Sequence, residues 1–346
     1  MSRRSQFVVG MLLAAGLVWL FLRQADLGEV WKALRSADPF WILVALAAIL
    51  LTTLPRAWRW RQLLSPLGTV DLRPLVDCTL MGWTVSVVLP GRLGEIVRPV
   101  LLARRTTIRA SAAIGSVVLE RVFDAVAVVL YVAIYLAIFP PPPRLEGDAV
   151  AVYEAIRLVG TLGTVGIAFG GVVAVVASRH AALLARCEAL AESWLPARVS
   201  SVGASFLEGM SGLRSPWLVV RILASSMLLW GVIHMMYVVL FWAFGIDLPA
   251  YAAIPLVTLL VAGVIVPTPA AVGAFHKAAQ IGLVTLFGVD NDVAIAFAIV
   301  SHTIGFLPLA ALGGVLLARE GLTFAALRRM GETSDEPVNE FPDSGN

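Results

Sequence analysis

One charged run stands out between apolar segments: residues 89–99, which read LPGRLGEIVRP. Charges at membrane depth are expensive and usually line a polar cavity, so Arg92, Glu95 and Arg98 are candidates for binding a headgroup. Glycines such as Gly94 allow a tight reversal, and a helix that starts there would point its N–H groups at an anion. Arg92 and Arg98 could then bind a phosphate in bidentate fashion. Alternatively, Arg92 extends to the membrane interface and Arg98 pairs with Glu95, three residues earlier.

A second charged run, LERVFD, follows inside a long apolar stretch and contains Glu120, Arg121 and Asp124. Glu120 and Asp124 are four residues apart and share one helical face, whereas Arg121 lies about 100° away. Two acids on one face need a nearby cation, which Arg98 or Lys277 could supply. The alternative is a buried ion network with a purely structural role in fixing helix register.

The second half of the chain contains a weak echo of the first. Three residues of one broken apolar region align without gaps on three of the other: Pro90, Gly94 and Arg98 on Pro269, Gly273 and Lys277. With a three-residue insertion, Glu120 then falls on His302, and His276 precedes Lys277 directly. A membrane histidine is most often a packing residue, but one facing Glu120 across a cavity could carry a proton. The echo rests on few residues, so chance similarity is the alternative.

Composition limits the class of protein that positions these residues. Hydrophobic residues make up 59% of the chain and charged residues only 14%, against about 25% charged in soluble domains. Mean hydropathy is +0.87. The chain is therefore interpreted as a polytopic membrane protein, and its net charge of +3 as loop arginine rather than a nucleic-acid surface. Two cysteines form neither a disulfide framework nor a metal-site spacing, and the sequence predicts no cofactor, no metal and no nucleic-acid partner.

The hydropathy pattern predicts an all-α fold with about six full spans and two re-entrant helical hairpins. The predicted spans are 6–22, 39–54, 111–139, 151–178, 217–244 and 291–318. The predicted hairpins, 74–103 and 251–288, are interrupted by proline and glycine, so each half is too short to span. Broken segments at corresponding places are typical of transporters built from inverted repeats. The repeat units would be 39–139 and 217–318.

Loop charges indicate the orientation. With the hairpins treated as re-entrant, the inside segments, among them 55–73 and 179–216, carry 16 Lys and Arg, and the outside segments carry four. This bias predicts that both termini are cytoplasmic. Residues 1–330 are interpreted as one membrane domain, in which 179–216 forms amphipathic helices on the cytoplasmic face. The acidic and polar residues 331–346 are interpreted as a disordered tail.

The two charged runs together resemble the lysylphosphatidylglycerol synthase transmembrane family, also called flippase-like or UPF0104 proteins. The resemblance rests on P-G-R-x-G-E-x-x-R from Pro90 and E-R-x-x-D from Glu120, and it covers roughly residues 6–320. It implies a bacterial inner-membrane protein linked to moving phospholipids or isoprenoid-linked lipids between leaflets. One departure is that the family's second half often reads G-G-x-G-x-x-E, whereas residues 270–276 read AAVGAFH, with Gly273 matching and His276 in place of glutamate.

These observations predict a lipid flippase or transporter for an anionic phospholipid or isoprenoid-linked lipid. The residues expected to contact the headgroup are Arg92, Gly94, Glu95, Arg98, Glu120, Arg121, Asp124, Gly273, His276, Lys277 and His302. The chain shows no Walker A, HExxH, GxSxG or paired CxxC motif and no soluble aminoacyl-transferase domain, so we expect that it is not an enzyme. The alternatives are a membrane enzyme or a non-transporting partner subunit in lipid or glycolipid envelope synthesis. The expected partners are membrane lipids with an anionic headgroup, a second copy of the chain, or an envelope-synthesis protein.

Overall fold

Helices form all the regular secondary structure in the described part of the chain, in a computed structural model. The described residues are 12, 15–23, 25–89, 93–143, 145–179, 215–266 and 268–322, without the side chains of 171–179. The predicted amphipathic segment 179–216 lies almost wholly outside these residues, as do the predicted tail and the first part of the first predicted span. Residues 15–22, at the end of that span, are helical.

Eleven α-helices have described bounds, and they are numbered here in chain order. They are α1 (Leu27–Ser36), α2 (Pro39–Leu51), α3 (Thr53–Leu64), α4 (Leu72–Val88), α5 (Gly94–Ala103), α6 (Ala110–Ile138), α7 (Asp148–Arg179), α8 (Pro216–Ala243), α9 (Ala253–Ile265), α10 (Ala274–Gln280) and α11 (Asn291–Arg319). Short 3₁₀ turns precede α9 and α10, and a π-helical turn, Ile281–Leu286, follows α10.

Five helices in the described residues are long and apolar enough to cross a membrane. They are Pro39–Leu64, Ala110–Ile138, Asp148–Gly170, Pro216–Ala243 and Asn291–Arg319. The 29 residues of α6 rise about 43 Å, more than the roughly 30 Å of a hydrocarbon core. The all-α, multi-pass architecture is thereby confirmed. The exact number of spans, the single-domain assignment and the inverted repeat remain predictions.

The second predicted span continues further than the sequence indicated. Because α2 and α3 join at Thr52 with right-handed helical dihedrals, they form one helix of 26 residues. Pro55 lies in the first turn of α3, where its missing N–H removes the helical bond to the carbonyl of Leu51. Residues 55–64, which the sequence assigns to an inside segment rather than to the second span, are therefore helical and continue the helix of that span, while their side of the membrane remains a prediction.

Each broken apolar region forms two helices that pack on each other, α4 with α5 and α9 with α10. Glycine permits the close approach in both. A Cβ atom on Gly94 would overlap the carbonyl of Gly82 and the side chain of Ser86. A Cβ atom on Gly263 would lie 2.8 Å from the carbonyl oxygen of Ala274. The helical hairpins are thus present, while their re-entrance into the membrane remains a prediction.

The first hairpin packs most extensively against α11, the last described helix. The indole Nε1 of Trp83 donates to the carbonyl of Phe306 at 3.3 Å, and Thr84 Oγ1 donates to the carbonyl of Ala310 at 2.7 Å. Two apolar cores lie on either side of this contact. One core is formed mainly by residues 57–123, and the other draws most of its residues from 229–309.

Candidate functional site: a buried ion cluster

Glu120 occupies the centre of a cluster of charged side chains between α3, α5 and α6. Its side chain is completely buried. Its Oε1 atom accepts from Nη2 of Arg59 at 3.0 Å and from Nη2 of Arg121 at 2.9 Å, while Oε2 accepts from Nη2 of Arg98 at 2.7 Å. A buried carboxylate is tolerated only when paired and hydrogen-bonded, and here both oxygens are engaged by cations.

Asp124, one turn further along α6, repeats this pattern and adds partners from α8. Its Oδ1 atom accepts from Nη1 of Arg59 at 2.6 Å and from the indole nitrogen of Trp230 at 3.0 Å. Its Oδ2 atom lies 3.1 Å from Nη2 of Arg121. Arg59 also donates to Ser226 Oγ at 2.8 Å, and that hydroxyl donates to the carbonyl of Ile222. Asp124 and Arg59 therefore tie α3, α6 and α8 together.

Arg121 forms the accessible edge of the cluster. Its side chain is 39% exposed, and Nη1 lies 3.9 Å from Glu95 Oε1, whose side chain is 36% exposed. Arg59 and Glu120 have no exposure, and Arg98 and Asp124 have 9%. The cluster thus has a dry centre of charge pairs and an open edge where a solvated or lipid-borne group can reach a guanidinium.

Arg98 is placed by the close packing of the first hairpin. A Cβ atom on Gly82 would lie 2.9 Å from Cβ of Arg98, so the absence of a side chain there leaves room for the arginine stem. The guanidinium carbon lies 4.3 Å from the ring centroid of Trp60, a cation–π distance. Trp60 in turn donates to Ser116 Oγ at 3.0 Å. Arg98 is therefore held between an indole face and Glu120 rather than paired with Glu95.

The arrangement can stabilise negative charge but leaves its buried acids little chemistry of their own. Charge-assisted bonds to three guanidinium groups stabilise the ionised form of Glu120. A carboxylate so engaged is poorly suited to accept a proton or a metal ion. Among the described residues, no group of three or more His, Cys, Asp or Glu side chains is arranged to hold a metal.

The corresponding residues of the second half form a separate aromatic group. The rings of His276 and His302 lie 4.6 Å apart, and Phe275 and Phe306 pack around His302. His302 Nε2 lies 2.8 Å from the carbonyl oxygen of Ala270. The N–H of Gly273, which has a φ of 84°, donates to His276 Nδ1 at 3.4 Å.

The sequence-predicted site residues are thus brought together only in part. Glu95, Arg98, Glu120, Arg121 and Asp124 meet in the cluster, and Gly94 closes the hairpin that carries Arg98. Arg92 lies outside the described residues.

Two pairings suggested by the sequence are wrong. Lys277 Nζ donates to Gln280 Oε1 at 2.7 Å instead of supplying a cation to the acids. Among the described residues, the polar contacts of His302 and His276 are to backbone groups of the second hairpin, and the partners of Glu120 are arginines. The comparison of the two halves of the sequence placed these residues at equivalent positions, but it carried no information on which helices contact each other.

Arg59 is the main residue that sequence reasoning missed. It is the only arginine of the cluster that binds both buried acids from another helix, and it was assigned to a loop because arginines after an apolar span fit the positive-inside pattern. The signal that could have found it is helical spacing. Arg56, Arg59 and Trp60 fall at i, i+3 and i+4, which puts them on one face of a continuing helix.

Comparison with known families gives the same assignment as the charged runs. Residues 7–313 match the family described as the lysylphosphatidylglycerol synthase TM region. The chain belongs to this family. The resemblance in the runs at Pro90 and Glu120 is thereby confirmed, and the match extends over both hairpins, the first four long apolar helices and α11 as far as residue 313.

One curated relative is the glycosyltransferase AglD of Haloferax volcanii, with 25% identity over 334 residues. The match covers 88% of this chain and 52% of the relative, so the chain spans about half the length of the curated relative it matches. The relative's name contradicts the expectation that the protein is not an enzyme, and that prediction is wrong. The physical reason is that the motifs sought serve nucleotide phosphates, zinc, serine hydrolysis and thiols, and none of them reports on glycosyl transfer.

Proposed function

We propose that this protein moves a lipid with an anionic headgroup between the leaflets of the bacterial inner membrane. The observation that carries the proposal is the open edge of the ion cluster. Arg121 is 39% exposed on a helix that is long and apolar enough to cross a membrane. Ionisable residues inside membrane helices usually mark a path for a charged substrate, and arginine matches phosphate geometry.

In this proposal the buried acids position the cations rather than contact the lipid. Glu120 and Asp124 hold Arg59, Arg98 and Arg121 in fixed orientations, which prepares an anion site before the headgroup arrives. The headgroup phosphate would contact Arg121, with Glu95 exchanging partners as it enters, and Arg92 stays a contact predicted from the sequence. The acyl chains would stay in lipid, and the two halves would open alternately around the hairpins.

The proposal extends to location and partners. Both termini would be cytoplasmic, in keeping with the loop arginines. The protein would act as a homodimer or with an envelope-synthesis protein that makes or consumes the lipid.

Reconstitution into proteoliposomes tests the transport. Fluorescently labelled phosphatidylglycerol, phosphatidylcholine and a polyprenyl phosphate would be compared, and their movement would be followed by dithionite quenching of the outer leaflet. Wild type should accelerate one anionic class. Arg121→Gln should slow that movement about tenfold or more, because a charged hydrogen bond contributes about 1.5–3 kcal/mol. Arg121→Lys should fall between the two because it keeps the charge but loses the bidentate geometry.

Arg157→Gln is the matched control. Arg157 lies on α7, is 59% exposed, and pairs with Glu154 of its own helix, away from the cluster. This variant should transport like wild type. Failure of folded wild-type protein to move any of the three lipids would reject the proposal, as would equal slowing by Arg121→Gln and Arg157→Gln.

A second candidate is glycosyl transfer to a lipid carrier, which the similarity to AglD favours. A membrane enzyme of this kind would bind the phosphate of the carrier at the same cluster. The test is to incubate the purified protein with a polyprenyl phosphate and a set of radiolabelled nucleotide sugars, and then to extract the lipid phase. Sugar label in the lipid fraction that disappears in Arg121→Gln would favour this candidate over transport alone.

A further inference from the structure

Arg56 lies beside the ion cluster but does not belong to its pairs. It precedes Arg59 by three residues on α3 and is within electrostatic reach of Asp124, Glu120, Arg121 and Arg59. Its guanidinium carbon lies 5.4 Å from the ring centroid of Trp83 on the first hairpin. Trp83 in turn donates to the carbonyl of Phe306 on α11. Arg56 therefore stands where the first hairpin meets the second half of the molecule.

Arg56 differs from the cluster arginines because no carboxylate among the described residues pairs with it. Within the described residues it makes no ion pair and no side-chain hydrogen bond, and its contact is the face of Trp83. Its Nε atom is buried and has no hydrogen-bond partner among the described residues. Four guanidinium groups, including that of Arg56, thus face three carboxylates, which leaves one cation in excess among the residues described.

The position of this excess charge makes an anion a natural occupant. Arg56 lies eight residues before the end of the helix Pro39–Leu64, about 12 Å at helical rise. If this helix spans the membrane, that depth is within the hydrocarbon region, where an uncompensated arginine is costly. A guanidinium whose contact among the described residues is an aromatic ring has N–H donors left for a bidentate acceptor.

We propose that Arg56, whose guanidinium lies over the ring of Trp83, is an anion subsite that binds the phosphate of the lipid headgroup next to Arg121. The proposal rests on the proposed transport of an anionic lipid and names a contact residue and a headgroup chemistry for it. The subsite takes a phosphate ester with net negative charge. A zwitterionic headgroup fits less well, because its ammonium would lie beside the arginines.

Equilibrium binding to the purified full-length protein in neutral detergent micelles tests the subsite. The ligands would be dioctanoyl phosphatidylglycerol, dioctanoyl phosphatidylcholine and inorganic phosphate, each titrated by calorimetry. Wild type should bind phosphatidylglycerol most tightly. Arg56→Gln should weaken that binding about tenfold or more, and Arg56→Lys should weaken it less, because lysine keeps the charge without the planar fork. Arg61→Gln, an exposed position on the same helix, should bind like wild type.

The outcomes separate this inference from the proposed function. Unchanged phosphatidylglycerol binding in both Arg56 variants would overturn the subsite even if wild type moves lipid. Absence of binding to wild type would overturn it as well. Equal binding of inorganic phosphate and phosphatidylglycerol would overturn the lipid assignment in favour of free phosphate. Arg56-dependent lipid binding by a protein that moves no lipid would support the subsite and reject transport.

Discussion

The first and second hairpins both close on a glycine, yet the helices that follow them carry different chemistry. Behind the first hairpin, α6 presents Glu120 and Asp124 to three arginines. Behind the second, α11 presents His302 to His276 and to the backbone of Ala270. Among the described residues, one half has a dense buried ion cluster, and the other has a tilted pair of histidine rings.

The two halves are held together by interactions of different strength. The ion cluster links α3, α5 and α6 through ion pairs and reaches α8 through hydrogen bonds to Ser226 and Trp230. Each buried charge becomes destabilising when its partner is lost. The histidine pair is linked by ring packing and single hydrogen bonds, each of which contributes little. We therefore expect the first half to fix the anion site, and the second half to provide the surface against which it moves.

The largest expected effect is the removal of the central carboxylate. Glu120→Gln leaves Arg59 and Arg98 buried with one fewer counterion, and breaking a buried ion pair on one side costs about 3–5 kcal/mol. We expect a loss of that order in the free energy of unfolding, measured by denaturant titration in detergent micelles. Glu154→Gln, which removes an exposed partner of Arg157, should cost less than about 1 kcal/mol. Equal losses in the two variants would show that the cluster is not a stabilising centre.

A second variant tests what the two hairpins share. Gly94→Ala forces a Cβ atom against the carbonyl of Gly82, so α4 and α5 must separate and Arg98 must shift. Overpacking of this kind costs about 1–3 kcal/mol. Gly263→Ala, with a closest contact of 2.8 Å to a backbone oxygen, should destabilise less.

Gly314→Ala is the control for the hairpin glycines. It lies in the interior of α11, and its new Cβ atom would meet Thr84 at 3.9 Å, an ordinary contact. Because alanine is the better helix former by about 1 kcal/mol, this change should be neutral or stabilising. A stable Gly94→Ala protein with an unaltered thermal transition would contradict the close packing of the first hairpin.

Sequence patterns predicted those parts of the fold that depend on hydropathy alone. Five predicted spans, which begin at residues 39, 111, 151, 217 and 291, each start within three residues of the first residue of a long apolar helix. The two broken regions form paired helices because glycine and proline mark the reversals. Arg59 was not predicted as a site residue. A sequence does not distinguish a buried arginine from a loop arginine unless the helix that carries it is known to extend that far.

The site was predictable only as far as local spacing reaches. Glu120, Arg121 and Asp124 are neighbours on one helix, so their proximity follows from helical geometry. The partners that complete the cluster come from other helices, and their sequence separations from Glu120 or Asp124 range from 22 residues for Arg98 to 106 for Trp230. Such contacts depend on packing between helices, which the weak internal echo does not specify.

The smallest expected effect comes from the histidine pair. It tests whether the second half depends less on its buried polar contacts than the first half depends on its ion cluster. Ala270 and Ala271 have φ values of 50° and 58°, a left-handed conformation that costs alanine about 1–2 kcal/mol per residue. The bond from His302 to the carbonyl of Ala270 helps to hold this turn. His302→Phe keeps a ring for His276 and Phe306 but removes the hydrogen bond, so we expect a loss of about 0.5–1.5 kcal/mol in the free energy of unfolding.

Such a loss, well below that of Glu120→Gln, would support the division between the halves. A loss as large as that of Glu120→Gln would mean that the second hairpin depends on its histidine as strongly as the first depends on its carboxylate, and the contrast between a charged half and a packed half would have to be abandoned.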